Sequence, residues 1–378
     1  MDVSDLSILD RSLGCLFGGA MGDAFGHCIS HISREMVLFK YGPGGLQEPL
    51  LSNGKYYISD STQMSLLTAD GFLTNYTQEH LKGVCEPLAD CIYRKYRGWA
   101  KAQGFGLMTD GQVADSWLLS DPSMTAKRSH DRACIEHLRE YSERGLPDKP
   151  HNDCINCSGL KRVAPLGLIA YAHGHLVETA MEWGEEVAAS TNGDPLGWIP
   201  AACLTSIIYH LCEGNDVKAS VKMAIFDCII RYEENRHMKR MIELLDLAED
   251  LIKLKLSDEG GTAVLLGMGS AAGALAAAVF ACLRHAHDPM GCLRCAINVD
   301  HEPDSVGSVA GNILGTYLGI AEIEKAFDIS KLECHDKIQV MAEDIVCKSP
   351  IWDYGPSYDL WVTKYIEFKD PYKGAYLL

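Results

Sequence analysis

Glycines recur every four residues at two distant places in this 378-residue chain: Gly14, Gly18, Gly22 and Gly26, and again Gly307, Gly311, Gly315 and Gly319. A four-residue repeat brings each set near one face of a helix. Glycine costs about 1 kcal/mol relative to alanine inside a helix, so two such rows need a compensating reason. The simplest is packing, because a face without side chains lets another helix approach closely. The rows therefore predict a crowded helical centre, with ligand access as a second use. A duplicated repeat stays open, although nothing beyond the glycines supports it.

The remaining sequence also reads as helix. Apolar residues fall at helical spacing over 13–25, 63–73, 163–171, 199–211, 217–230, 241–254, 306–323 and 338–346. Alternating strand patterns are scarce. Polar stretches with Gly and Pro at 41–53, 104–111, 145–159 and 191–197 read as loops between helices rather than domain linkers. The expectation is one all-α domain over 1–378. The run 262–283 carries no charge and is long enough to consider as a membrane span. It is mostly Ala and Gly, however, and a central helix of a soluble core explains it more simply.

A formal net charge of −17 argues against general affinity for nucleic acid, which needs clustered Lys and Arg. It also argues against docking on anionic membranes and suits divalent cations or basic partners. The N-terminal stretch MDVSDLSILDRSLG lacks the basic start and apolar run of a signal peptide. Fifteen cysteines without one suggest free thiols in a reducing, cytoplasmic setting. Two CxxC pairs, Cys154/Cys157 and Cys292/Cys295, could be read as a zinc site. The second pair lies in helical-looking sequence and no conventional spacing links the two, so packed thiols are expected.

Four blocks carry a family resemblance. They are RSLGCLFGGAMGDAFG (11–26), YISDSTQM (57–64), GLKRVAPLGL (159–168) and EPDSVGSVAGNILGTYLG (302–319). In order and spacing they resemble the ADP-ribosylhydrolase family, related to dinitrogenase-reductase-activating glycohydrolase, over about 11–346. The resemblance implies an all-α fold holding two magnesium ions between the early and late acidic blocks. It implies cleavage of the glycosidic bond between ADP-ribose and a protein side chain. Magnesium takes hard oxygen ligands in octahedral array, and two ions can hold ribose hydroxyls and orient a water.

Carried over by position, the resemblance makes Ser59, Asp60, Glu302, Asp304 and Ser305 metal ligands, with Asp60, Glu302 and Asp304 catalytic. Gly22, Asp23, Ser158, Gly159, Arg162, Asn192 and Asp194 are the expected ligand-binding positions, Arg162 with a structural role as its alternative. Read without the family, Asp60 and Asp304 could equally be helix N-caps.

The departures fall where the chemistry should be. Ser61 stands where the family has a second aspartate, removing an anionic ligand and a water-orienting base. Glu302 replaces an aspartate, Ser30 occupies an often acidic place, and TNGDP (191–195) lacks two histidines common in relatives. Lys161 replaces a usual methionine. Surface solvation is the simplest reading for Lys161 and Asp153, with a point charge near phosphate as the alternative for the lysine. Glu302, Asp194 or Asp153 could compensate for the lost acid. Two functions follow: an ADP-ribosylhydrolase with altered or reduced magnesium-dependent activity, or an impaired, binding-only pseudoenzyme. An immunity protein blocking an ADP-ribosyltransferase toxin would be one such binder.

Overall fold

The two glycine rows pack against each other. In the computed structural model the first row lies on α1 (Ile8–His27), which Ser7 starts with a capping box closed by Asp10. The second lies on the antiparallel helix Pro303–Leu318. A Cβ added to Gly22 would sit 1.9 Å from the Gly307 carbonyl oxygen, and one on Gly18 would sit 2.4 Å from that of Gly311. Reciprocally, Gly315 would meet the Gly14 oxygen at 1.9 Å. The backbones touch at every turn, which is the reason both rows must be glycine.

The structure describes residues 3–83, 86–105, 116–128, 132–144, 150, 152–233, 235–267, 269–347 and 355–372. Among them are 18 α-helices and no strand. Five more helices matter below: α2 (Asp60–Lys82), α3 (Leu88–Ala102), α4 (Pro195–Cys212), α5 (Ala271–Arg284) and α6, the glycine-bearing Pro303–Leu318. Buried apolar residues form one contiguous cluster reaching from Cys15 to Tyr365. Parts of the loops expected over 104–111 and 145–159, namely 106–111, 145–149 and 151, lie outside the described residues.

Three expectations are corrected. The helix expected over 306–323 breaks at Gly319, whose φ of 75° ends α6 before a short helix Ile320–Ala326 begins. The charge-free run 262–283 is likewise two helices. Asp258–Leu266 ends at Gly267, and α5 starts anew with Ser270 as its N-cap. Helices were also not anticipated at Arg34–Tyr41, α3 and Val177–Ala189. Among the described residues one helix, α4, is long and apolar enough to cross a membrane, and 78% of it is buried in the protein.

Neither CxxC pair forms a zinc cluster among the described residues. Cys292 lies in the helix Pro289–Ile297 with its sulfur 3.8 Å from that of Cys282. Cys295 of the second pair belongs instead to a group with Asp258 and His285, whose donor atoms lie within 4.8 Å of one another. Its carboxylate is already engaged by Arg284 and by His285 Nε2 at 2.9 Å.

Candidate active site

The early acidic block meets α1 through Asp23. This carboxylate is fully buried and accepts four hydrogen bonds: from Ser59 N (2.9 Å), Ser59 Oγ (2.5 Å), Thr62 N (3.1 Å) and Thr62 Oγ1 (2.5 Å). It therefore satisfies amides at the N-terminus of α2, where a negative charge also meets the positive end of the helix dipole. Ser59 is the N-cap, its Oγ accepting from Ser61 N at 3.1 Å. Asp60 is the first helical residue and not the cap, so the capping reading fails for it.

Asp60 and Asp304, far apart in the chain, come to neighbouring helix N-termini. Both are buried. One Asp60 oxygen, Oδ1, accepts from Lys161 Nζ at 2.7 Å; the other, Oδ2, is buried without a hydrogen-bond partner. Asp304 Oδ1 accepts from Ser305 N at 3.0 Å. Glu302 precedes α6 in a left-handed backbone conformation (φ 47°), which a non-glycine residue adopts at a cost. Its carboxylate accepts from Cys157 N at 3.3 Å and so joins the late acidic block to the loop before Ser158.

Too much negative charge is buried here for one ammonium. Burial, helped by Asp304, pushes Asp23 up to about 6. Burial also pushes Asp60 up to about 7, against the pull of Lys161 and with the push of Asp304 and Asp23. Burial works against the charge on Lys161, but Asp60, Asp304 and Glu302 outweigh it and hold its pKa above the ordinary lysine value. These are the three effects that set a buried ionisation: desolvation, neighbouring charge and hydrogen bonding.

The reading of Lys161 as a solvated surface residue is thus overturned. Its side chain is 4% exposed and its ammonium sits among the carboxylates. A signal was available in the sequence: the family holds methionine there, and an apolar position implies burial. Asp153 is exposed as expected. Ser61 is buried beside Ser59, with 3.2 Å between the hydroxyls, and brings no charge.

The other expected ligand-binding residues divide into two groups. Ser158, Gly159 and Asn192 form a polar turn: Ser158 Oγ donates to Asn192 Oδ1 at 2.9 Å, and Asn192 Nδ2 donates to the Asn156 carbonyl at 3.2 Å. A Cβ on Gly159 would lie 2.8 Å from that of Ala188. The remainder serve packing. Gly22 touches α6, and Asp194 caps α4 through Leu196 N at 2.8 Å. Arg162 is buried, donates to the Val187 carbonyl (2.8 Å) and Thr191 Oγ1 (2.7 Å), and lies 4.6 Å over the Tyr96 ring. Its structural alternative describes these contacts. Sequence reasoning missed Glu333, which accepts from Ile58 N at 3.3 Å, pairs with Arg128 and so fixes the strap before Ser59.

A two-magnesium centre does not fit these residues. Ser61 is neutral, the Ser59 hydroxyl is committed to Asp23, and an ammonium is bonded to Asp60. A cavity of about 620 Å³ lies elsewhere, between Ser120–Ser123, Glu333–Lys337 and Asp370, and none of the acidic centre lines it.

An all-α bundle in which the N-termini of α2 and α6 bring an early and a late acidic block together, with Asp23 of α1 bonded to the early one, defines the class. The sequence profile of the ADP-ribosylglycohydrolase family matches residues 4–353, and the chain belongs to that family. It is similar to ADP-ribosyl-[dinitrogen reductase] glycohydrolase of Rhodospirillum rubrum, 24% identical over 221 residues. That match covers 56% of this chain and 62% of the relative, so it spans less than two thirds of the relative's length. In fold it resembles a solved structure described as an ADP-ribosylglycohydrolase-related protein complex. The TM-score is 0.60 and the identity 18%, over 90% of this chain and 98% of the other.

Proposed function

We propose that this chain recognises ADP-ribosyl groups on modified protein and cleaves the glycosidic bond with altered or reduced activity. The observation that carries this reading is Asp60 and Asp304 brought to adjoining helix N-termini, with Asp60 Oδ2 buried and unpartnered. Cleavage of such a bond develops positive charge at the anomeric carbon, which buried carboxylates stabilise, and requires a base for the attacking water. Asp304 and Glu302 are assigned those tasks, with Asp60 the third catalytic carboxylate. Ser158, Gly159 and Asn192 are proposed as ligand-binding positions. Of magnesium, the donors Glu302, Asp304 and Ser305 support at most one ion, and the steps above are assigned to the chain's own residues. The setting proposed is cytoplasmic.

The test is release of free ADP-ribose from proteins ADP-ribosylated on arginine or serine. Wild type is expected to release it slowly and Asp304→Ala not at all. No release by wild type, followed by release from Ser61→Asp, would overturn cleavage.

One arrangement favours a second reading, a binding-only protein that recognises ADP-ribosyl groups or blocks an ADP-ribosyltransferase. Ser61 cannot accept a proton well near neutral pH, and Asp60 is held by Lys161. That reading expects ADP-ribose binding by calorimetry with no turnover in wild type.

A further inference from the structure

We propose that the ammonium of Lys161 is a built-in counter-cation of the acidic centre, standing in for one of the two metal ions that such a centre would otherwise need. The inference concerns the same site as the proposed function and rests on that reading only for its importance, not for its geometry.

Three observations carry it. The first is position: Lys161 Nζ lies 2.7 Å from Asp60 Oδ1, a charge-assisted distance, and Asp304 and Glu302 are the other carboxylates that act on it. The second is burial: Lys161 is 4% and Asp60 1% exposed, so the pair is removed from solvent. A buried ammonium is retained where carboxylates compensate its desolvation, and removing it leaves an uncompensated buried charge. The third is the matching loss: Ser61, one residue from Asp60, is neutral where a second acid would be needed to bind an additional divalent ion. An anion is absent and a cation is tethered; each change makes the centre one charge more positive, and together they match the charge of one divalent ion.

Asp23, Asp60, Glu302 and Asp304 bring four formal negative charges and Lys161 one positive, leaving three. One divalent cation leaves a single negative charge; two would overcharge the group. Lysine differs from a metal ion in being unable to coordinate a water or a ribose hydroxyl as a Lewis acid. It offers three directed N–H donors instead. A phosphate or hydroxyl oxygen of a ligand is the chemistry that such donors hold.

The test is magnesium binding to the intact protein by calorimetry, with Mg²⁺ alone as the probe. Mg²⁺ avoids the Asp258–His285–Cys295 group, because thiol and imidazole are poor ligands for it. Wild type is expected to bind no more than one ion per chain. Lys161→Met, which restores an apolar side chain of similar length, is expected to bind Mg²⁺ at least tenfold more tightly, and Lys161→Arg to behave as wild type. If Lys161→Met unfolds without metal, millimolar Mg²⁺ is expected to raise its melting temperature while leaving wild type nearly unchanged. Two ions bound by wild type would overturn the proposal, as would unaltered affinity or no selective Mg²⁺ rescue in Lys161→Met. ADP-ribose titration of the same proteins is read separately, so failure of ligand recognition and failure of the counter-cation are distinguishable.

Discussion

Asp70 of α2 and Lys95 of α3 form a fully buried ion pair, 3.0 Å apart, with the ammonium 4.4 Å over the Phe368 ring. Removing one partner leaves the other charged in a dry site, so Asp70→Asn is expected to cost about 3–5 kcal/mol by urea denaturation. The double variant Asp70→Asn/Lys95→Met is expected to recover most of that loss, since an apolar replacement of a buried pair is often near neutral. His210 behaves differently because the ordinary pKa of an imidazole lies near physiological pH. Burial disfavours its charge, but hydrogen bonds to Asp227 (2.8 Å) and Glu213 (2.7 Å) prevail and raise its pKa above 6.5. A raised folded-state pKa contributes stability fully below the unfolded value, and this is lost as pH rises through the folded one. Wild type is therefore expected to lose stability relative to His210→Gln as pH climbs above about 6.5, read as the urea midpoint at each pH.

At the scale of elements, the α1–α6 contact sets the geometry of the centre. Asp23 lies one residue after Gly22, and Asp304 lies three before Gly307, whose oxygen would meet a Gly22 Cβ at 1.9 Å. Separating the helices therefore moves both acids. Gly22→Ala is expected to lower stability by about 3 kcal/mol or more through overpacking against backbone. Gly260→Ala, whose Cβ would meet only the Ser257 and Leu256 side chains at 3.2 Å or more, is expected within about 1 kcal/mol of neutral. Thermal melts of the two separate a packing requirement from the general cost of changing a helical glycine. The reverse outcome would mean that the rows serve something other than close approach.

For the whole molecule, the contiguous apolar cluster from Cys15 to Tyr365 joins sequence-distant helices. We propose that 1–378 is one cooperative domain, and a single calorimetric transition with equal van't Hoff and calorimetric enthalpies is expected. Two resolved transitions would divide it. The cysteines fit this interior: Cys15, Cys203, Cys282 and Cys292 are fully buried and behave as small apolar side chains. Helices on the buried side were legible because periodicity reports a face. Breaks at Gly267 and Gly319 were not, because glycine in an apolar run can continue a helix or end it, and only the φ adopted decides.

The sequence by itself determined the helical class, the two glycine-lined helix faces and the early and late acidic blocks, because spacing and side-chain absence are local properties. It also showed Ser61 in place of an acid. Only the tertiary structure decided what surrounds that loss. Lys161 lies 101 positions from Asp60, and pattern alone assigned it to the surface. Arg162, its immediate neighbour and equally charged, points instead to Val187 and Thr191. Which of two adjacent cations meets the carboxylates depends on how a short helical turn is oriented against α2, and packing sets that orientation.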